Sequence, residues 1–402
     1  MRILLSAGEV SGDVAGSRLV RALRERRSGL AFFGLGGPRM AEAGVELLRS
    51  TNALGTVGIS ESFRVVPGLV RAFASLRRRV VVSPPGAAVL IANDVFHVLL
   101  GRWLRARGVP TLSYFPPQVW IWRSLARVFA PSFDEILTSF PDEERVWRAA
   151  GASTTFVGHY LGDVLRPATE EERRSAREAL GLPAGPLVAV LPGSRELEVR
   201  RLTPVLLDAA RLLHERDGRI RFVLPVADSA FAPRIEAEVA RRGLEGVLGT
   251  TSSGHVALRA ADLAILASGT ASLEAALIGT PMVIAYRLAA LTMGVVRSAI
   301  SLGLIDSDTV GLPNLVLGRR AIPEHIQDRA SGLALSAAAA RLLGDESLLE
   351  EQRQALGEVS RLLFAGGSDA RAAEAVLAAA ERRSVRGAAF GGAIVREEGS
   401  GT

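Results

Sequence analysis

Ten short apolar runs, separated by amphipathic stretches, constrain this chain more than any single motif in it. ILLSA (3–7), AFFGL (31–35), AVLIA (88–92), TLSYF (111–115), EILTS (135–139) and TTFVG (154–158) have the length and content of buried strands. A strand hidden on both faces needs helices above and below it, and the intervening amphipathic segments supply them. The alternation predicts an α/β fold built on a parallel, doubly wound sheet. It stops at VLRPATEEERRSAREALGLPAGPL (164–187), where a proline, a highly charged helical stretch and a Pro/Gly turn interrupt it. It restarts with LVAVLP (187–192), RFVLPV (221–226), LAILA (263–267) and MVIAY (282–286).

Two Rossmann-like doubly wound domains in tandem are therefore expected, with an interdomain cleft for ligand between the carboxyl ends of their strands. The expected division is 1–168 and 169–380, the second closed by helices near 332–343, 346–364 and 369–382. Residues 381–402, low in large apolar side chains, read as a disordered tail.

Composition narrows the chemistry. At 402 residues there is chain enough for two cores, and 48% hydrophobic against 22% charged residues exclude a disordered protein. The absence of Cys removes disulfides, thiolate metal sites and cysteine nucleophiles. Every one of the 48 basic residues is Arg, so no P-loop lysine or Schiff base is available. A formal charge of +6 suits an acidic partner, whether a nucleotide phosphate, a nucleic acid or an anionic membrane surface. With 5% aromatics and no basic-aromatic repeat, the chain is not a nucleic-acid platform. MRILLSAGEV reads as a first core strand instead of a signal peptide. No segment offers about 20 uninterrupted apolar residues. The nearest, LAALTMGVVRSAISLGLI (288–305), carries Arg297 in its middle and reads as a buried or interfacial helix, with a membrane-contacting surface as the alternative.

Four strand ends carry motifs. SAGEVSGD (6–13) and GLGGPRM (34–40) place small residues where backbone amides can approach a phosphate or sugar; a tight turn capped by Asp13 or Ser11 explains the first equally well. In LPGSRELEVRRL (191–202), free amides, the Ser194 hydroxyl and the Arg195 guanidinium converge at one strand end, a diphosphate clamp. The competing reading pairs Arg195 with Glu198. ASGTASLEAALIGTPMVIAY (267–286) repeats the device, with Ser268, Gly269 and Thr270 at a helix start and Glu274 one turn inside, placed to accept ribose hydroxyls. There Thr270 as N-cap and Glu274 on a solvated face form the alternative. Two anion-binding strand ends in one half favour a nucleotide-sugar diphosphate.

These motifs, with PPQVWIWR (116–123), FVGHYLGDVL (156–165), PMVIAYR (281–287) and GLPNLVLGRRAIPEHIQ (311–327), stand in the order found in lipid-A-disaccharide synthases, and the chain resembles that family across roughly residues 1–380. The resemblance implies a GT-B glycosyltransferase that joins UDP-2,3-diacylglucosamine to 2,3-diacylglucosamine 1-phosphate with inversion and releases UDP. It implies a cytoplasmic enzyme, peripheral on the anionic inner-membrane surface, with no cofactor. Ser194, Arg195, Ser268, Gly269, Thr270, Glu274, Asn314 and Gln327 would line the UDP site. Ser11, Gly12, Asp13, Glu61 and His159 would stand on the acceptor side, His159 with a structural role as its alternative. Ile59, Phe63, Val65, Val66 and Leu69 would meet acyl chains or the membrane, or else form core.

Two departures bear on the chemistry. GHYL (158–161) replaces the family's Gly-His-Pro-Leu while keeping His159. The family reads I-D-A-P-D-F-N where this chain has IANDVFH (91–97), so that Ala92 and Val95 stand opposite the two acids and Asp94 opposite the proline. An inverting transfer needs a base at the acceptor hydroxyl. Asp94 is the candidate, His97 the second; a GT-B enzyme with another acceptor, or a sugar-nucleotide-binding relative without transfer, is the alternative. DSD (306–308) invites a metal reading, but it lies late in the chain, beside an apolar helix, and helix N-termini with Arg195 can stabilise departing UDP without a cation.

Overall fold

The computed structural model describes residues 1–8, 10–50, 59–92, 95–118, 123–181, 185–226, 228–287, 309–364 and 366–394, and for 59–65, 124 and 384–394 the backbone alone. These divide into two compact units, 1–160 with 366–394, and 161–287 with 309–364.

The first unit opens with β1 (Arg2–Ala7), α1 (Val10–Arg26), β2 (Ala31–Gly36), α2 (Pro38–Glu42) and β3 (Val45–Ser50). It continues through α3 (Ile59–Val82), β4 (Ala87–Ile91), α4 (Val95–Arg105), β5 (Thr111–Tyr114) and α5 (Ala126–Phe129). β6 (Glu135–Thr138), α6 (Pro141–Ala149) and β7 (Thr154–Phe156) complete its run. The strands form one parallel sheet in the order β3-β2-β1-β4-β5-β6-β7.

The second unit begins within α7 (Tyr160–Val164) and runs through α8 (Glu170–Leu180), β8 (Leu187–Leu191), α9 (Glu196–Arg216), β9 (Arg221–Pro225) and α10 (Ala232–Arg241). β10 (Leu248–Thr251), α11 (Gly254–Ala260), β11 (Leu263–Ala267), α12 (Thr270–Ile278) and β12 (Met282–Tyr286) follow. Then come α13 (Leu312–Leu317), β13 (Glu324–Ile326), α14 (Gly332–Leu343) and α15 (Glu346–Leu363). Its parallel sheet is ordered β10-β9-β8-β11-β12-β13. All ten expected strands are present. In both sheets the chain leaves the central strand toward one edge and returns to fill the other, which makes a switch point between β1 and β4 and between β8 and β11.

β4, β8 and β11 are buried at every residue, because helices cover both faces. One core gathers Phe33, Leu76, Leu100, Phe133 and Trp147; the other gathers Leu206, Leu213, Phe222, Ile265 and Leu335.

The end of the chain departs from expectation. The last helix, α16 (Ser368–Ile394), belongs to the first unit, and it continues through residues expected to be a disordered tail. Ala372, Ala373, Val376, Ala379 and Ala380 bury its apolar stripe. Its acids face a row of arginines on and just beyond α1: Arg18–Asp369 at 2.7 Å, Arg27–Glu381 at 3.0 Å and Arg26–Glu374 at 3.4 Å. Such long-range complementarity is invisible to local composition. The first unit also ends at Tyr160, eight residues before the expected boundary of 168.

Candidate active site

In an open parallel sheet, ligands meet the carboxyl ends of the strands at the switch point. In the first unit these are the ends of β1, β4 and β5. Gly8 donates its amide to the Ile91 carbonyl at 3.0 Å, and Gly12 lets α1 lie against the end of β4. A Cβ at Gly12 would stand 3.3 Å from both the Ala92 Cβ and the Ile91 oxygen. The residues just past β4 and β5, Ala92 (φ 49°) and Phe115 (φ 52°), both adopt left-handed backbone without being glycine. Strain of this kind is concentrated at functional sites.

The Asp13 carboxylate is engaged by backbone. The residue is buried, and its carboxylate accepts the amides of Gly37 at 2.8 Å, Met40 at 3.0 Å and Arg39 at 3.1 Å. Gly37, the N-cap of α2, has no side chain with which to cap that helix; Asp13 does so from α1. Its expected acceptor-side role gives way to a structural one that ties SAGEVSGD to GLGGPRM. Ser11, half-buried, and Gly12 lie in the first turn of α1.

His97 also departs from expectation. Only 2% exposed, it shares a 2.9 Å hydrogen bond between Nε2 and the Ser6 hydroxyl, while its buried Nδ1 has no partner among the described residues. Burial pushes the imidazole down to about 3. So buried and so weakly basic a ring is poorly suited to take up a proton from an acceptor hydroxyl. His159 is buried as well, stacked on Tyr160 at 5.1 Å and edge-on to Phe115 at 5.0 Å, inside an aromatic cluster that includes Phe140. Asp94 lies outside the described residues, as do the DSD segment and the 288–305 stretch. Glu61, Ile59, Phe63 and Val65 fall on the first turns of α3, with their side chains outside the description.

The second unit brings five of its predicted residues, Ser194, Arg195, Ser268, Gly269 and Thr270, to the ends of β8 and β11. After β8 the chain turns through Gly193 (φ 113°) into α9, with Arg195 as its N-cap. The Arg195 guanidinium pairs with Glu198 at 2.8 Å, and the same carboxylate accepts the amides of Ser194 at 3.3 Å and Arg195 at 3.4 Å. The Arg195–Glu198 pairing is thus real, and Glu198 reaches back to the N-cap amide as one half of a capping box. Tyr286, at the end of β12, senses this group: burial raises its phenol, and the Glu198 charge adds to the effect.

After β11 the Ser268 hydroxyl donates to the Val310 carbonyl at 2.6 Å. Gly269, not Thr270, is the N-cap of α12, and no side chain caps that end. Glu274, one turn inside, lies 3.6 Å from the Nε2 of His255 on α11.

Asn314 is 1% exposed, and its amide is fully engaged. Nδ2 donates to the Ile322 carbonyl at 2.8 Å and to Glu324 at 2.6 Å, while Oδ1 accepts from Ala321 and Ile322, both at 2.9 Å. Glu324 in turn accepts the amides of Val310 at 2.9 Å and Gly311 at 3.0 Å. Asn314 therefore holds the loop that Ser268 touches. Glu324 is the residue sequence reading missed; as the end residue of a three-residue strand it carried no periodic signal. Gln327, just beyond β13, has left-handed backbone (φ 56°) and a buried Nε2 that finds no hydrogen-bond partner among the described residues.

Comparison with known proteins gives the same picture. A sequence model of the family described as lipid-A-disaccharide synthetase matches residues 3–378. The lipid-A-disaccharide synthase of Geobacter sulfurreducens is 39% identical over 377 residues, covering 94% of this chain and 96% of its own. That of Pseudomonas aeruginosa is 40% identical over 387 residues, covering 95% and 99%. Among solved structures, MurG of Acinetobacter baumannii has a TM-score of 0.52 at 14% identity, covering 90% of this chain and 98% of its own. The UDP-GlcNAc 2-epimerase of Neisseria meningitidis bound to UDP-GlcNAc reaches 0.59 at 10% identity, with coverage of 90% and 98%. With two parallel Rossmann-like units in the GT-B manner and a family match along nearly its whole length, this chain belongs to the lipid-A-disaccharide synthase family of glycosyltransferases.

Proposed function

We propose that this protein transfers the diacylglucosamine unit of UDP-2,3-diacylglucosamine to 2,3-diacylglucosamine 1-phosphate, forming lipid A disaccharide 1-phosphate and UDP. The observation that carries this reading is the family match over residues 3–378, together with two strand ends in one unit that present amides, hydroxyls and a guanidinium. In the reaction the acceptor oxygen bonds to C1 as the bond from C1 to the phosphate oxygen breaks, and UDP leaves with the electron pair. Ser194, Arg195 and the α12 N-terminus with Ser268 and Thr270 stabilise the charge gathering on the diphosphate. Glu274 accepts the ribose hydroxyls, and the Gln327 amide donates to the nucleotide. Asp94 takes the acceptor proton, the one acid in IANDVFH. Ser11 and Gly12 in α1 and Glu61 in α3 receive the acceptor. Release of UDP only when both acylated sugars are supplied is the test; UDP binding without release under those conditions would refute the proposal.

The acyl chains place the work at a lipid surface. Val66 and Val70 on α3, and Val95 and Leu99 on α4, are exposed one turn apart on each helix. Phe73 of α3 joins the helices by packing edge-on against Phe96 at 6.3 Å and Trp103 at 5.8 Å. The same two helices carry Arg71, Arg77, Arg78, Arg102 and Arg105. Among the described residues no helix is long and apolar enough to cross a membrane. Peripheral contact with an anionic bilayer through α3 and α4 fits this distribution. Flotation with anionic vesicles should fall on replacing Val70 and Leu99 with Ser; undiminished flotation would place the contact elsewhere.

A further inference from the structure

Glu198 occupies the donors that a diphosphate would need. Its carboxylate takes the Ser194 amide, the Arg195 amide and the Arg195 guanidinium, so an acidic group of this chain already sits at the start of α9. The turn is shaped around it. A Cβ at Gly193 would lie 2.5 Å from the Glu198 Oε2 and 2.8 Å from its Cβ, and the φ of 113° excludes other residues at little cost. At the end of β11 the corresponding start of α12 has only Gly269 and no capping side chain. Among the described residues no carboxylate caps the start of α12, whereas the start of α9 carries its own anion.

We propose that Glu198 is a displaceable internal anion at the donor site, which the UDP diphosphate must exchange for its own oxygens when it binds. The proposal rests on the reading of Ser194 and Arg195 as the diphosphate clamp. In the empty enzyme the carboxylate caps α9 and neutralises Arg195; with nucleotide bound, the diphosphate takes over both tasks and Glu198 swings toward solvent. Exchange of one anion for another lowers the net affinity for UDP, since the new charge-assisted bonds replace existing ones. The closed cap also competes for the site as UDP leaves, which favours product release, a step that often limits turnover. Glu198 is thus a positioning residue that acts through Arg195 and the amides.

The test pairs UDP calorimetry with thermal unfolding in the intact protein. Glu198→Gln keeps an oxygen for the amides but cannot neutralise Arg195, and Glu198→Ala removes the competitor entirely. Both should bind UDP more tightly than wild type, about tenfold for Glu198→Ala, while unfolding at lower temperature. A purely structural cap would lower stability and affinity together, so unchanged or weaker UDP binding in both variants overturns the proposal. Arg195→Ala serves as the control. If it binds UDP as wild type does, or if wild type binds none, the donor-site reading fails and takes this proposal with it. If Arg195→Ala loses UDP while the Glu198 variants gain nothing, only the internal-anion proposal fails.

Discussion

Asp13 of α1 caps a helix to which it does not belong, accepting the Gly37 amide at 2.8 Å while Gly37 itself has no side chain to offer. Because the carboxylate also holds Arg39 and Met40, its removal leaves three amides without their acceptor. Asp13→Ala should cost about 2–3 kcal/mol of unfolding free energy in urea. A change below about 0.5 kcal/mol, the scatter of surface substitutions, would mean the bracket contributes nothing.

His97 and the pH dependence of stability are linked. Its folded-state value of about 3 lies below the ordinary 6.5, so the unfolded chain binds the extra proton first. Its contribution is complete above pH 6.5 and is lost as pH falls toward 3. His97→Asn, which cannot titrate, should flatten that part of the melting-temperature profile. An unchanged acid limb would assign the effect to other groups.

Glu143 has the opposite sign. Buried beside the amides of Ser139 and Phe140, its carboxyl is pushed up from 4.5 to about 8 because desolvation outweighs the two hydrogen bonds. The folded state holds its proton longer, so this group's contribution to stability is full below pH 4.5 and lost as pH rises through 8. Glu143→Gln should remove that decline, and the gain over wild type should be larger at pH 8.5 than at pH 5. Equal melting-temperature shifts at both would contradict it.

Asn314→Ala leaves buried amides and carbonyls of the 321–322 turn without partners and frees Glu324 from one of its contacts. We expect a loss of about 2 kcal/mol in stability and a raised KM for the UDP-sugar, with KM for the acceptor unchanged. A raised acceptor KM with the donor KM unaltered would show that the loop serves the other substrate.

Ala92 holds a left-handed conformation in which a Cβ is penalised. Ala92→Gly should therefore stabilise the protein by about 1 kcal/mol. Destabilisation instead would mean that the Ala92 methyl, packed near Gly12, outweighs the backbone strain.

The central strands were legible because parallel strands buried on both faces leave unbroken apolar runs. β3, β10 and β13 were not, and all three lie on sheet edges. There half the residues face solvent, so VELLRS, LGTT and EHI show neither a run nor a clean alternation. The donor-side motifs were readable from small residues and charge at strand ends. What motif reading could not assign was direction: Asp13 and Asn314 look like ligand-facing polar residues, but among the described residues their side chains bond to neighbouring backbone and to Glu324. His97 stands three residues from the expected base in sequence, yet helix geometry turns it inward to Ser6.

One measurement bears most directly on the central claim. Wild-type protein is incubated with UDP-2,3-diacylglucosamine and 2,3-diacylglucosamine 1-phosphate, and the lipid product is analysed by mass spectrometry and by the configuration at its new glycosidic carbon. The predicted result is a disaccharide 1-phosphate of inverted configuration, one UDP released per disaccharide, and loss of both in Asp94→Asn. Absence of disaccharide from a folded protein that binds UDP would contradict it.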